Sequence, residues 1–276
     1  MKAALSFELS HCDDRQVHET YIKILNNIDN DLATAVARNV GDFVPDKEAA
    51  RPKQDIKSPA LSQLYYAPKT PTIESRRIAI LVAEGFNKVE VEAVREMLRK
   101  QKATTWIIGP QRKSIDRVPV AHHFEGQRST LFDALYIPSG EKQYAKALME
   151  NGRAVHWVRE AFGHCKAIGA IGEGKLFIYI VKCHNTYNDS QFLKGVNVVL
   201  HALGPEIPEI NLNLQEGSDD VKESHGVVTI QKYDAAVDVL KISGDAKGFV
   251  SQFAYQISLH RRYDREMKKL TNKVAY

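Results

Sequence analysis

Apolar residues recur at intervals of three and four near the start of the chain: Val17, Tyr21, Ile24, Leu25, Ile28, Leu32 and Val36. That period predicts helix over residues 13–41. Asp13 or Asp14 can cap its start, Asp29 can restart it after Asn26 and Asn27, and Gly41 can end it. Such a piece has an apolar face with no partner inside its own segment, so it is expected to dock on something else. Residues 42–76 differ in texture and hold five of the ten prolines: Pro45, Pro52, Pro59, Pro68 and Pro71. Proline fixes φ and removes a donor, so this stretch is expected to run extended over a surface. Leu61, Leu64, Tyr65 and Tyr66 are too apolar for a free linker. They are expected to pin it to a groove in this molecule or in a partner.

From Arg76 the pattern alternates strand with helix. "RRIAILVAEG" reads as a buried strand, "VEVEAVREMLRK" as an amphipathic helix with Val91, Val94, Met97 and Leu98 on one side, and "TTWIIGP" and "LFDALYIPSG" as two more strands. "RAVHWVREAFGHC" is a helix with Val155, Val158, Ala161 and Phe162 inward, followed by the strand "CKAIGAI". Short apolar strands alternating with helices predict an α/β fold with a doubly wound parallel sheet. Ligands in such sheets bind beyond the carboxyl ends of the strands, where Gly85, Gly140 and Gly172 fall. "GVVTI" is a further strand. "GFVSQFAYQISLHRRYDREMKKL" is expected to be one long helix, with Phe249, Phe253, Ile257 and Leu270 available for packing. Residues 174–210 fit this scheme worst, because "KLFIYIVKC" reads as a strand where a helix is due.

Candidate chemistry centres on "AIGAIGEG", residues 167–174. A strand running into a sharp turn of this kind can seat a nucleophile beside backbone N–H groups. The apex here is Gly172, followed by Glu173 and Gly174, so the turn carries no nucleophilic side chain and reads as a degenerate elbow. Glu90 stands at the head of the first helix of the α/β region, where a carboxylate complements the helix dipole and could orient a group at the sheet edge. His122 and His123 are adjacent and poorly placed to share a metal. His11, Cys12, Asp13 and Asp14 lack a second ligand pair, so no metal site is expected. No phosphate loop or dinucleotide fingerprint is present.

The chain has 276 residues, is 43% hydrophobic and carries a formal charge of +4. Both signs of charge are interspersed, which argues for a solvated surface and against a nucleic-acid partner. No stretch is apolar enough for a signal h-region or a membrane span. Cys12, Cys165 and Cys183 are odd in number and widely spaced, pointing to reduced thiols and a cytoplasmic setting. Cys165 opens a buried strand and is expected to be inert.

"FELSHCDD", "IDNDLATAVARNVG", "SPALSQLYYAPKTPTI", "RRIAILVAEGFNKVEVEAV", "HHFEGQRSTLFDALYIPSG", "NGRAVHWVREAFGHCKAIGAIGEG" and "FAYQISLHRRYDRE" together resemble the C-terminal part of the large-subunit catalases, most closely the fungal members. The resemblance runs in order over nearly the whole chain. It implies that residues 1–41 are the last helices of a haem-catalase core and that 42–76 are a linker wrapping over it. Residues 77–276 would then be a flavodoxin-like domain related to the DJ-1/PfpI and class I glutamine amidotransferase proteins. In DJ-1-like relatives a reactive Cys occupies the elbow and an acid at the head of the first helix contacts it. Gly172 falls on the first position and Glu90 on the second. The family's haem is held by core residues that map to none of these positions, so the resemblance implies no cofactor in this chain and no peroxide dismutation by it alone. The expected role is a stability, oligomerisation or chaperone-like module of the peroxide-degrading family. Its partners would be a catalase core or a second copy, met through residues 17–36 and the linker. The alternative is a DJ-1-like hydrolase, glyoxalase or amidotransferase using Glu90.

Overall fold

The computed structural model describes residues 1–47, 59–61, 70–172, 198–199, 202–203, 220–236, 238 and 240–274. The chain divides into two units, Met1–Tyr66 and Ala67–Tyr276.

Three helices build the first unit: α1 (Lys2–Ser10), α2 (Arg15–Asn26) and α3 (Asn30–Val40). The caps fall on the residues the sequence offers. Asp14 accepts from the Gln16 amide, Asp29 accepts from the Leu32 amide, and Gly41 closes α3 in the left-handed region at φ 73°. The apolar face of residues 13–41 does dock on an element outside that segment, helix α1. Leu5 and Leu9 of that helix pack with Leu25, Leu32, Ala33, Val36 and Val40, giving the unit its own small core. What stays uncovered is narrower: Val17, Tyr21, Ile24 and Ile28 are 42%, 41%, 49% and 69% exposed. Val17, Tyr21 and Ile24, spaced four and three apart, lie along one stripe of α2, and Ile28 follows in the turn beyond it. Of the residues proposed to pin the linker, Leu61 lies in a short turn, Pro59–Leu61, and is exposed instead of seated. Leu64, Tyr65 and Tyr66 lie outside the described residues.

Among the described residues the second unit forms a seven-stranded sheet. Its strands are β1 (Arg77–Leu81), β2 (Thr104–Gly109), β5 (His122–His123), β6 (Ala134–Ile137), β7 (Ala167–Ile171), β8 (Lys222–Ser224) and β9 (Val227–Ile230). A small hairpin of β3 (Lys113–Ile115) and β4 (Val118–Val120) interrupts the path from β2 to β5. The order across the sheet is β5-β2-β1-β6-β7-β9-β8. All pairings are parallel except β8 with β9, so the sheet ends in an antiparallel edge that the periodicity did not announce. Helices α4 (Lys88–Lys100), α5 (Lys142–Glu150), α6 (Gly152–Gly163) and α7 (Phe249–Ser258) pack on it. Most of the apolar residues expected to face inward do so, with Met97 and Val155 only partly buried, and α5 is a helix the pattern did not announce. Val91, Val94 and Leu98 of α4 are buried, as are Val158, Ala161 and Phe162 of α6 and Phe249, Phe253 and Ile257 of α7.

The long C-terminal helix is corrected. It stops at Ser258, His260 turns left-handed at φ 66°, and only a short helix α8 (Asp264–Met267) follows. The polar run from His260 to Glu266 has no apolar stripe with which to continue. Instead Arg265 turns inward and becomes fully buried. Its Nε donates to the His225 carbonyl at 2.6 Å and its Nη1 to the Phe162 carbonyl at 3.0 Å, while the guanidinium lies 4.1 Å over the Phe162 ring. Burial lowers its pKa to about 9. Of residues 174–210, only Val198, Val199, Ala202 and Leu203 are described. They are helical and buried in the main core, and the strand expected at "KLFIYIVKC" lies outside the described residues.

Candidate functional site

The chain leaves β1 to one side through α4 and β2, then returns to the other side as β6. The sheet's switch point therefore lies between β1 and β6, and its carboxyl edge is where a ligand crevice would open. Gly85, Glu90, Ser139 and Gly140 gather there. Phe86 and Gly140 form an isolated bridge across the gap, and the Gly85 carbonyl accepts from the Glu141 amide at 2.9 Å. Gly140 permits this approach because a Cβ on it would meet the Tyr144 ring at 2.5 Å and the Gly85 carbonyl oxygen at 2.9 Å.

Glu90 is 7% exposed and engaged. Its Oε1 accepts from the Tyr136 hydroxyl at 2.6 Å and the Ser139 amide at 2.9 Å, and its Oε2 accepts from the Ser139 hydroxyl at 2.5 Å. Asn87 caps α4 by accepting from the Glu90 amide, and its own amide donates to the Ser139 carbonyl at 2.9 Å. The helix head and the β6 loop are thus tied at several points. Tyr136 is buried, and burial together with the Glu90 carboxylate pushes its phenol well above the ordinary range. It remains a hydrogen-bond donor throughout any physiological range. Sequence reasoning found Glu90 but missed Asn87, Tyr136 and Ser139. One signal was available: Asn87 and Glu90 have the spacing of a capping box. Here the glutamate turns across to Ser139 instead of back to the cap.

Gly172 sits at φ 119°, a conformation that favours glycine, and its amide donates to the Ile230 carbonyl at 3.0 Å. That N–H is spent on the sheet ladder. Glu173 and Gly174 lie outside the described residues. The other glycine of the motif serves packing: a Cβ on Gly169 would lie 3.0–3.1 Å from the Phe253 and Phe249 rings. Tyr136, its cross-strand neighbour, is 6.0 Å from the Phe249 ring.

The remaining candidates do not converge on this edge. His122 stacks on Trp106 at 5.5 Å, and burial with Arg112 nearby lowers its pKa. Cys12 and Cys165 are free thiols. Cys165 is buried, and burial raises its pKa. Lys166, 2% exposed, donates from Nζ to the Ser129 carbonyl at 2.5 Å, while the Ser129 hydroxyl donates to Glu160 Oε2 at 2.6 Å. An ammonium whose hydrogen-bond acceptor is a neutral carbonyl is poorly compensated. Burial first, and then Arg261, lowers its pKa to about 8.

Sheet order, crossovers and switch point define a flavodoxin-like α/β domain. Residues 74–203 match the C-terminal domain found in long catalases, and residues 1–40 match the catalase-related immune-responsive family. Catalase-1 of Neurospora crassa is 38% identical over 280 residues, covering 99% of this chain but 34% of its own length. Catalase A of Aspergillus fumigatus is 36% identical over 290 residues, covering 100% of this chain and 35% of its own. Catalase-2 of Bacillus subtilis is 33% identical over 177 residues, covering 62% and 24%. The chain carries the C-terminal domain of long, large-subunit catalases and spans about a third of the length of the fungal relatives.

Proposed function

We propose that this chain is an accessory, non-catalytic part of a catalase assembly. In this reading residues 1–41 complete the core, 42–76 wrap over it and 77–276 add a stabilising or oligomerising domain. Peroxide breakdown and haem then belong to the part of the relatives that this chain does not span. The observation that carries the reading is the Glu90 network. A carboxylate accepting from Tyr136 and twice from Ser139 is a structural tie, and the elbow it would serve holds Gly172. Among the described residues no group of three or more His, Cys, Asp or Glu side chains is gathered as a metal site. No described helix is long and apolar enough to cross a membrane. The free thiols Cys12 and Cys165 support a reducing, cytoplasmic setting.

The exposed stripe on α2 is the surface proposed to meet the core. The test is to mix the chain with a fungal catalase truncated before the matching region. Co-elution and a raised thermal midpoint are expected, both lost in Ile24→Glu/Ile28→Glu with helicity retained. A monodisperse chain that neither co-elutes nor shifts the midpoint would remove the accessory reading. Turnover of a glyoxal or amide substrate, abolished by Glu90→Gln, would replace it with the hydrolytic one.

A further inference from the structure

The β3–β4 hairpin turns through Asp116 and Arg117, both left-handed at φ 51° and 67°. Two-residue hairpin turns of this kind favour Asn-Gly, so Arg in the second position is held there at a cost of about 1 kcal/mol. Its base is rigid: Ile115 and Val120 are buried in the main core, and a Cβ on Gly109 would meet Ile115 at 2.7 Å. The strained tip carries one carboxylate to the switch-point edge. Asp116 Oδ2 accepts from the Gly85 amide at 2.8 Å, immediately beyond β1. Gly85 is itself left-handed at φ 86°, a conformation that favours glycine. The Ser139 amide and hydroxyl at this edge are taken by Glu90.

The geometry points to a carboxylate-binding position at the Gly85 amide that the protein fills with its own Asp116. The hairpin tip holds that carboxylate at the Gly85 amide, and a small free monocarboxylate takes the position when the Asp116 side chain is removed. This goes beyond the accessory role proposed above and does not depend on it.

The test uses the full chain with Asp116→Gly, which suits the left-handed backbone, and Asp116→Asn, which keeps an oxygen acceptor. Acetate is titrated against sodium chloride at matched ionic strength, reading the Gly85 amide resonance and the thermal midpoint. In Asp116→Gly, acetate is expected to return both saturably toward wild-type values and chloride is not. Wild type and Asp116→Asn are expected to stay unresponsive. If Asp116→Gly does not fold alone, acetate-dependent recovery of its fold is the readout. Equal effects of acetate and chloride, no recovery, or an equal acetate response in wild type would each overturn the assignment.

Discussion

Replacing Lys166 with methionine tests the buried ammonium directly. The side chain is 2% exposed and its Nζ donates to the Ser129 carbonyl. Its pKa falls from 10.5 to about 8. At ~1.4 kcal/mol per pH unit, the charged form costs the native state about 3 kcal/mol. Relaxation around a real buried charge brings the working range to about 1–3 kcal/mol. Methionine keeps the volume and removes that cost but strands the Ser129 carbonyl, a loss of about 1 kcal/mol. The pH dependence follows from linkage. Below pH 8 both native and unfolded chains hold the proton, and the penalty is full. Between pH 8 and 10.5 the native state releases it first, so wild-type stability gains with rising pH, and above 10.5 the penalty is gone. Lys166→Met is therefore expected to be more stable than wild type by about 1 kcal/mol at pH 7, and less stable by a similar amount near pH 10.5. Tyr136 and Tyr144, whose phenols burial raises, cause a common alkaline loss that cancels in the difference. Urea unfolding from pH 7 to 10.5, plotted as variant minus wild type, gives the measurement. Parallel curves would refute the reasoning, because only titration of Lys166 can make the difference change sign.

Two further substitutions probe the carboxyl edge. Glu90→Ala leaves the Tyr136 hydroxyl and both Ser139 donors without their acceptor and is expected to cost about 3 kcal/mol in denaturant unfolding, with Glu90→Gln intermediate. A loss below about 0.5 kcal/mol for the alanine variant would mean the network is not structural. Gly172→Cys places a side chain at φ 119° and is expected to cost about 1–3 kcal/mol without creating hydrolytic activity. A variant as stable as wild type would show that the turn relaxes freely.

Much of this was legible because local rules and tertiary structure agree. Asp14, Asp29 and Gly41 cap where their chemistry allows, and β1, α4, β2, β6, α6 and β7 follow the apolar periods. The failures have distinct causes. Helix α1 buries only Ser6 and Leu9, too weak a stripe to read as a partner for α3. The β3–β4 hairpin was hidden because Asp116–Arg117 is not a favoured turn pair. The break at His260 depends on Arg265 reaching carbonyls far away in sequence, which no window of local pattern contains. The burial of Lys166 has no signal in local pattern, because lysine is usually exposed. In the fold, Glu90 lies in the first turn of α4 and Gly172 follows β7. The meaning of Glu90 came from Ser139 and Tyr136, which are 49 and 46 residues away.

Arg265 also sets an order of events during synthesis. Its hydrogen bonds close one loop of 103 residues to Phe162 and another of 40 to His225, and its own segment leaves the ribosome after every strand of the sheet. Until then the α6 terminus and the β8–β9 edge lack their clasp, and contacts of such range form late. The nascent domain must carry an open flank over the 103 residues that separate Phe162 from Arg265, a period in which it is exposed to mispairing.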